Sequence, residues 1–305
     1  MTTISIDNVS RWFGNVVAVN DITMTIGPGV TGLLGPNGAG KSTLINMMAG
    51  FLAPSTGTVT LDGTPIWRNE QSYREIGIVP EREAMYDFLT AREFVVANAE
   101  LHGLADPDAA ARRALATVEM EYAQDRQIDT YSKGMRQRAK MASALVHDPS
   151  VLLLDEPFNG MDPRQRLHLM ELLRRMGAEG RTVLFSSHIL EEVEQLAHHI
   201  EVVVAGRHAA SGDFRKIRRL MTDRPHRYLV RSSDDRLLAS VLIAHASTAA
   251  IELDWSERAL RVQAIDFAGF TEFLPRIARD HGIRLFTVSP SDESLESVFS
   301  YLVTA

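Results

Sequence analysis

The chain has 305 residues, a formal net charge of −7 and no cysteine. The length suggests two domains or one large one. The acidic total argues against a general nucleic-acid binder, and the missing thiols exclude disulfides and thiolate metal sites and suggest a reducing compartment.

The opening segment, MTTISIDNVSRWFG, lacks the charged-then-apolar layout of a signal peptide. No apolar stretch approaches the ~20 residues needed to cross a bilayer. The expectation is a soluble chain whose membrane role, if any, needs a partner.

Residues 1–66 read as strands: TISIDNVSRWF, DITMTI and GTVTLDG alternate or carry β-branched residues and break at Gly and Pro. Between the second and third lies VTGLLGPNGAGKSTLINMMAG, a short buried strand, a glycine loop and then a helix. Residues 90–130 read as helical. TAREFVVANAELHG opens on a Thr cap with Glu93 three residues on, a capping box, and DPDAAARRALATVEM opens on Asp-Pro. From about residue 150 strand and helix alternate through VLLLD, DPRQRLHLMELLRRMG, TVLFSS, ILEEVEQLAHH and IEVVVAG, the order of a parallel α/β sheet. A boundary is expected near 213–224, dividing residues 1–212 from an accessory domain at 213–305. That domain reads strand-helix-strand-strand-helix-strand, the ferredoxin-like order, followed by a closing helix over ESLESVFSYLV.

GPNGAGKST, residues 35–43, fits the pattern G-x-x-x-x-G-K-[ST] between a strand and a helix. Gly35, Gly38 and Gly40 let backbone N–H groups turn toward phosphate oxygens, with Pro36, Asn37, Ala39 and Thr43 completing the cradle. Lys41 is placed to reach β- and γ-phosphates, and the Ser42 hydroxyl to ligate Mg²⁺. VLLLDEP, residues 151–157, is an apolar strand ending in two carboxylates. Asp155 at its tip can hold Mg²⁺, and Glu156 can orient or deprotonate an attacking water.

The order GPNGAGKST, YSKGMRQR, VLLLDEPFNGMDP, SSH resembles that of an ABC transporter ATPase over residues 4–212. The resemblance implies a P-loop ABC ATPase of the α/β class. It has a parallel-sheet core, an antiparallel β subdomain and a helical subdomain. Here a C-terminal α+β, ferredoxin-like domain follows. It implies ATP and Mg²⁺, with Phe13 stacking on adenine and Glu156 as the catalytic glutamate. Asp162 of GMDP would connect two ATP sites, and His188 of SSH would contact the γ-phosphate.

Two departures stand out. The family signature is commonly LSGGQ, whereas here it is YSKGM. Ser132 and Gly134 remain and Lys133 replaces a glycine. Glu81 of GIVPERE stands where the family often has glutamine; it can bind Mg²⁺ or water but repels phosphate. Both departures, and the ending LESVFSYL, resemble the type-2 drug, polysaccharide and lipid exporter branch.

The resemblance implies that the basic run YSKGMRQRAK serves ATP rather than nucleic acid, namely ATP held by a second copy of the subunit. Met135, Ala139, Ala142 and Val146 mark its apolar helix face, with Arg138 and Lys140 expected as solvated charge. The resemblance implies a homodimer with separate transmembrane permease subunits, peripheral on the cytoplasmic face of the membrane. An importer subunit, a soluble ABC protein acting on ribosomes or nucleic acid, and a regulatory module with dead chemistry are the competing readings. Met85, Tyr86, Phe88 and Leu89 are either a loop packed on its own domain or a socket for a permease helix.

Overall fold

Alternating apolar residues at Ile4, Ile6 and Val9 give the first strand a buried face, the pattern of a half-covered antiparallel sheet. The computed structural model describes residues 2–82, 85–213, 225–254 and 259–290. Strand β1 (Ile4–Phe13) pairs antiparallel with β2 (Val16–Ile26) and with β4 (Thr56–Leu61). The short β5 (Thr64–Pro65) completes a sheet of order β2-β1-β4-β5.

The second sheet holds β3 (Gly29–Leu34), β6 (Ile76–Val79), β7 (Val151–Leu154), β8 (Thr182–Ser187), β9 (His199–Val204) and β10 (Arg207–Gly212). Its order is β10-β9-β3-β8-β7-β6. The β3–β8, β3–β9, β6–β7 and β7–β8 pairs are parallel. Strands buried on both faces need continuous apolar sequence, and all four residues of VLLL in β7 are buried. Three adjacent parallel strands, β3, β8 and β7, therefore end on the same edge. They deliver the glycine loop, Ser186–His188 and Asp155–Glu156 there, the edge where open α/β sheets place ligands.

Helix α1 (Lys41–Met48) follows the glycine loop, and α2 (Glu70–Glu75) precedes β6. The helical segment comprises α3 (Ala91–Leu101), α4 (Pro107–Thr117) and α5 (Lys133–Leu145). The Thr90–Glu93 capping box forms, with Thr90 Oγ1 accepting from Glu93 N–H at 3.1 Å and Glu93 accepting from Thr90 N–H at 2.8 Å. Asp106 caps α4 with Pro107 at its first position. Helices α6 (Pro163–Ala178) and α7 (Leu190–Leu196) alternate with β7, β8 and β9.

One expectation on α5 fails. Lys140 is not solvated: it is 5% exposed, and its Nζ donates to the Pro80 carbonyl at 2.9 Å. The apolar face at Ala139, Ala142 and Val146 is buried as its spacing requires. The carbonyl that captures Lys140 lies 60 residues upstream, beyond the reach of helix periodicity. Arg138 stays half-buried at the surface, donating to Glu119 O and to the Tyr122 hydroxyl.

Where α3 and α5 end, the rings of His102 and His147 stack 3.7 Å apart and 6° from parallel. His147 Nε2 lies 3.2 Å from the Ile76 carbonyl oxygen, so this nitrogen carries the proton and donates. Burial, then the adjacent His102, holds His147 down at about 4. Burial and Arg74 lower His102 as well. An unfolded imidazole titrates near ~6.5, so between there and about 4 the unfolded chain binds more protons. Stability from the neutral ring is full above ~6.5 and is lost as pH falls toward about 4. His147→Phe keeps a stacking ring and is expected to flatten that part of the profile, read by urea unfolding at several pH values.

Residues divide into two compact units, Met1–Ser211 and Gly212–Ala305. The second contains β11 (His226–Ser232), α8 (Asp235–Ile243), β12 (Thr248–Asp254), β13 (Ala259–Ala264), α9 (Phe267–Asp280) and β14 (Leu285–Pro290). Its sheet runs β12-β13-β11-β14 with antiparallel neighbours. Tyr228, Val230, Leu260 and Val262 from the strands pack with Leu238, Phe270 and Leu274 from the helices. The expected closing helix lies outside the described residues, as does nearly all of the expected 213–224 boundary.

Candidate functional site

The glycine loop bends because its backbone occupies positions closed to side chains. Gly38 and Gly40 have φ of +80° and +103°, the left-handed region that glycine enters without strain. Gly35 has a different reason: a methyl group there would run into the Val203 carbonyl oxygen. The loop is braced from behind by the β9–β10 turn, where Gly206 N–H donates to Ala39 O at 3.0 Å and Gly206 O accepts from Asn20 N–H at 2.7 Å.

Lys41, the first residue of α1, folds back over this loop. Its Nζ donates to Gly35 O at 2.7 Å and Pro36 O at 3.2 Å, and stands 4.0 Å from Glu156 Oε1. Burial lowers the ammonium from its ordinary range; the charges of Glu156, Asp155 and Glu81 oppose that shift.

Asp155 and Glu156 leave the end of β7, and both are buried. Asp155 N–H donates to Val79 O at 2.8 Å, the last rung to β6. Glu156 takes φ +50°, a strained value for a side chain of its size. His188 Nδ1 lies 2.9 Å from both Glu156 carboxylate oxygens. A carboxylate accepts only, so Nδ1 carries the proton and Nε2 faces elsewhere.

A cleft of about 280 Å³ is lined by Asn37, Gly38, Gly40, Lys41, Ser42, Thr43, Glu81, Asp155 and Glu156, together with Ala18. Residues predicted from motifs far apart in sequence thus share one cavity. His188 joins it through Glu156. Gly35 and Pro36 hold Lys41 by their carbonyls, and Ala39 is buried beneath the loop.

Phe13, Ser132, Lys133, Gly134 and Asp162 are not among the lining residues. Phe13 is 47% exposed at the end of β1, with the Arg11 guanidinium 4.6 Å over its ring. It is not a core aromatic. Ser132 caps α5, accepting from Met135 N–H at 3.3 Å. Asp162 caps α6, accepting from Gln165 N–H at 2.9 Å. The two caps are neighbours: a methyl group on Gly134 would strike the Gln165 side chain, and one on Gly160 would strike Lys133.

Motif reading missed Glu192. Its carboxylate is buried, accepts from Ser187 Oγ at 2.6 Å and pairs with Arg166 at 3.3 Å. Burial raises it above the ordinary carboxylate range. Its place in the turn after His188 was the available signal.

The ABC transporter family model matches residues 19–159. Nod factor export ATP-binding protein I of Paraburkholderia xenovorans (strain LB400) is 38% identical over 216 residues, covering 68% of this chain and 70% of that protein. This chain belongs to the ABC transporter ATP-binding family. The chain is also 32% identical over 302 residues to the linearmycin resistance ATP-binding protein LnrL of Bacillus subtilis (strain 168), covering 96% of each. A solved ATP binding subunit of an ABC transporter is 28% identical and overlays with a TM-score of 0.65, covering 71% of this chain and 92% of that one. The chain is accordingly an ATPase that binds ATP. Among the described residues, no helix is long and apolar enough to cross a membrane.

Proposed function

We propose that this ATPase energises export through a separate transmembrane permease, working as a homodimer that closes around two ATP molecules. The observation that carries the dimer reading is the divided site. The phosphate cleft gathers Lys41, Ser42, Asp155 and Glu156, while Ser132, Lys133 and Gly134 stand outside its lining. A second copy would bring that α5 start, with its positive helix end and the Lys133 charge, to the γ-phosphate. Asp162 beside it would then couple the two sites.

Within one copy, loop N–H groups and Lys41 bind the phosphates, and Lys41 exchanges its Gly35 and Pro36 carbonyl contacts for phosphate oxygens. Glu156 takes the proton from the attacking water. His188 orients Glu156 through Nδ1–H; a γ-phosphate contact through Nε2 requires the doubly protonated ring. Phe13 offers adenine the ring face that Arg11 leaves uncovered. Ser42, Asp155 and Glu81 present hydroxyl and carboxylate oxygens to the cleft, the hard donors suited to Mg²⁺. Mg²⁺ bound there would neutralise phosphate charge.

The export direction rests on the relatives. One is named for Nod factor export and another for linearmycin resistance, and YSKGM and Glu81 accord with that branch. The C-terminal unit is proposed to be ferredoxin-like on its strand-helix order and its β12-β13-β11-β14 sheet.

Permease docking is assigned to the loop after Glu81. Tyr86 and Phe88 are 62% and 72% exposed, their ring centroids 5.8 Å apart. Neither packs as a core residue, which supports docking over a loop packed on its own domain. Glu83 and Ala84 lie outside the described residues. Asp87 between the rings is held by Arg136 of α5 at 2.6 Å, tying the loop to the signature helix. The double variant Tyr86→Asp, Phe88→Asp is expected to keep ATP binding and stability in the free subunit, yet lose co-purification with an integral membrane protein. Intact co-purification would reject the docking assignment.

A further inference from the structure

Ser186 is fully buried on β8. Its hydroxyl donates to Asp155 Oδ1 at 2.6 Å and accepts from Glu156 N–H at 2.9 Å. The directions are fixed, because an ionised carboxylate has no proton to give and a backbone N–H nothing to accept with. One hydroxyl thus grips both members of the Asp-Glu pair, on a different strand from either. β8 runs parallel to β7, with Leu154 opposite Phe185, so one step further along the ladder Ser186 meets Asp155.

We propose that Ser186 is a positioning residue for ATP hydrolysis, which sets the metal-facing carboxylate of Asp155 and the backbone turn of Glu156 together. Two observations require such a device. Glu156 has a φ of +50°, and a side chain of that size persists there only when its surroundings hold it. The bond from its N–H to Ser186 Oγ is one such restraint, and the contact of its carboxylate with His188 is another. Asp155 Oδ1, meanwhile, accepts from Ser186, which fixes the rotation of a carboxylate that lines the cleft. Loss of the hydroxyl frees the Asp155 carboxylate to rotate and releases the turn at Glu156 in a single change. A shift of ~1 Å in a catalytic group costs on the order of 10²-fold in rate.

The proposal rests on the roles given above to Asp155 and Glu156, and the test separates the two. The full chain is prepared as Ser186→Ala, Ser186→Cys and Ser186→Thr, with Glu156→Gln as the control. kcat, KM, the Mg²⁺ concentration for half-maximal rate, and calorimetric ATP affinity with Mg²⁺ and with EDTA are measured. Ser186→Ala is expected to lower kcat by about 10–100-fold, to raise the Mg²⁺ requirement, and to reduce the affinity that Mg²⁺ adds. ATP affinity in EDTA should not change. Ser186→Thr, which keeps the hydroxyl, should recover most of the rate. Ser186→Cys, similar in size but a weak donor, should behave like Ala and decides the matter if Ala does not fold. Parent kcat and parent Mg²⁺ dependence in Ala and Cys would overturn the proposal, as would an equal loss of ATP affinity in EDTA. Turnover at the parent rate in Glu156→Gln would instead overturn the assignment of Glu156.

Discussion

Glu156→Gln is expected to bind ATP as the parent does and to turn it over about 10²–10⁴ times more slowly, the usual cost of losing a general base. The substitution is close to isosteric. The backbone bond that fixes residue 156, from its N–H to Ser186 Oγ, does not involve the side chain. The strained φ of +50° is no worse for glutamine than for glutamate. What changes is the group that accepts a proton: an amide cannot, and it meets His188 Nδ1–H with one oxygen where the carboxylate offers two. Phosphate release and nucleotide binding, measured side by side, check the split between chemistry and affinity. A parent-like rate would remove Glu156 from its role.

Lys41→Ala is expected to act on affinity first. The ammonium is buried and bonded to the two loop carbonyls of Gly35 and Pro36. Its removal deletes the positive charge within the cleft and leaves those carbonyls without that donor. A hydrogen bond to a charged group contributes about 1.5–3 kcal/mol, which corresponds to a tenfold to hundredfold loss of ATP affinity. The Gly38 and Gly40 turn should persist, since glycine supplies it. Calorimetric titration with ATP measures the effect, and parent-like affinity would contradict it.

The difference between those two variants follows from how the site is built, and much of that was legible in the sequence. A strand, a glycine loop and a helix at Gly35–Thr43 form a local unit, so local sequence suffices to read it. Asp155 and Glu156 sit at the tip of VLLL, a short continuous apolar run that marks a buried strand. The Thr90–Glu93 cap is likewise a four-residue event. Ser186 was not legible in this way. A serine inside TVLFSS carries no signal of its own, and its partners lie 30 and 31 residues earlier on the neighbouring strand. Lys140 misled for the same reason. Periodicity assigns a lysine beside an apolar stripe to solvent, and only the packed chain brings the Pro80 carbonyl to it. The His102–His147 stack joins the ends of two helices, a contact that neither helix announces. Local units are read from residue types, whereas contacts across the sheet appear once strand order is known.

The start of the signature helix stands outside the cleft lining. Ser132 and Asp162 cap α5 and α6, so each has a structural duty inside the subunit whatever it does for a partner. On the proposed roles, one chain carries both halves of a site, so a symmetric pair of chains would hold two complete sites. Sedimentation of Glu156→Gln at high protein concentration, with and without Mg-ATP, tests this most directly. The expected result is a monomer without nucleotide and a dimer with it, the dimer lost again on Ser132→Arg substitution. A chain that stays monomeric with saturating Mg-ATP would contradict the shared-site account.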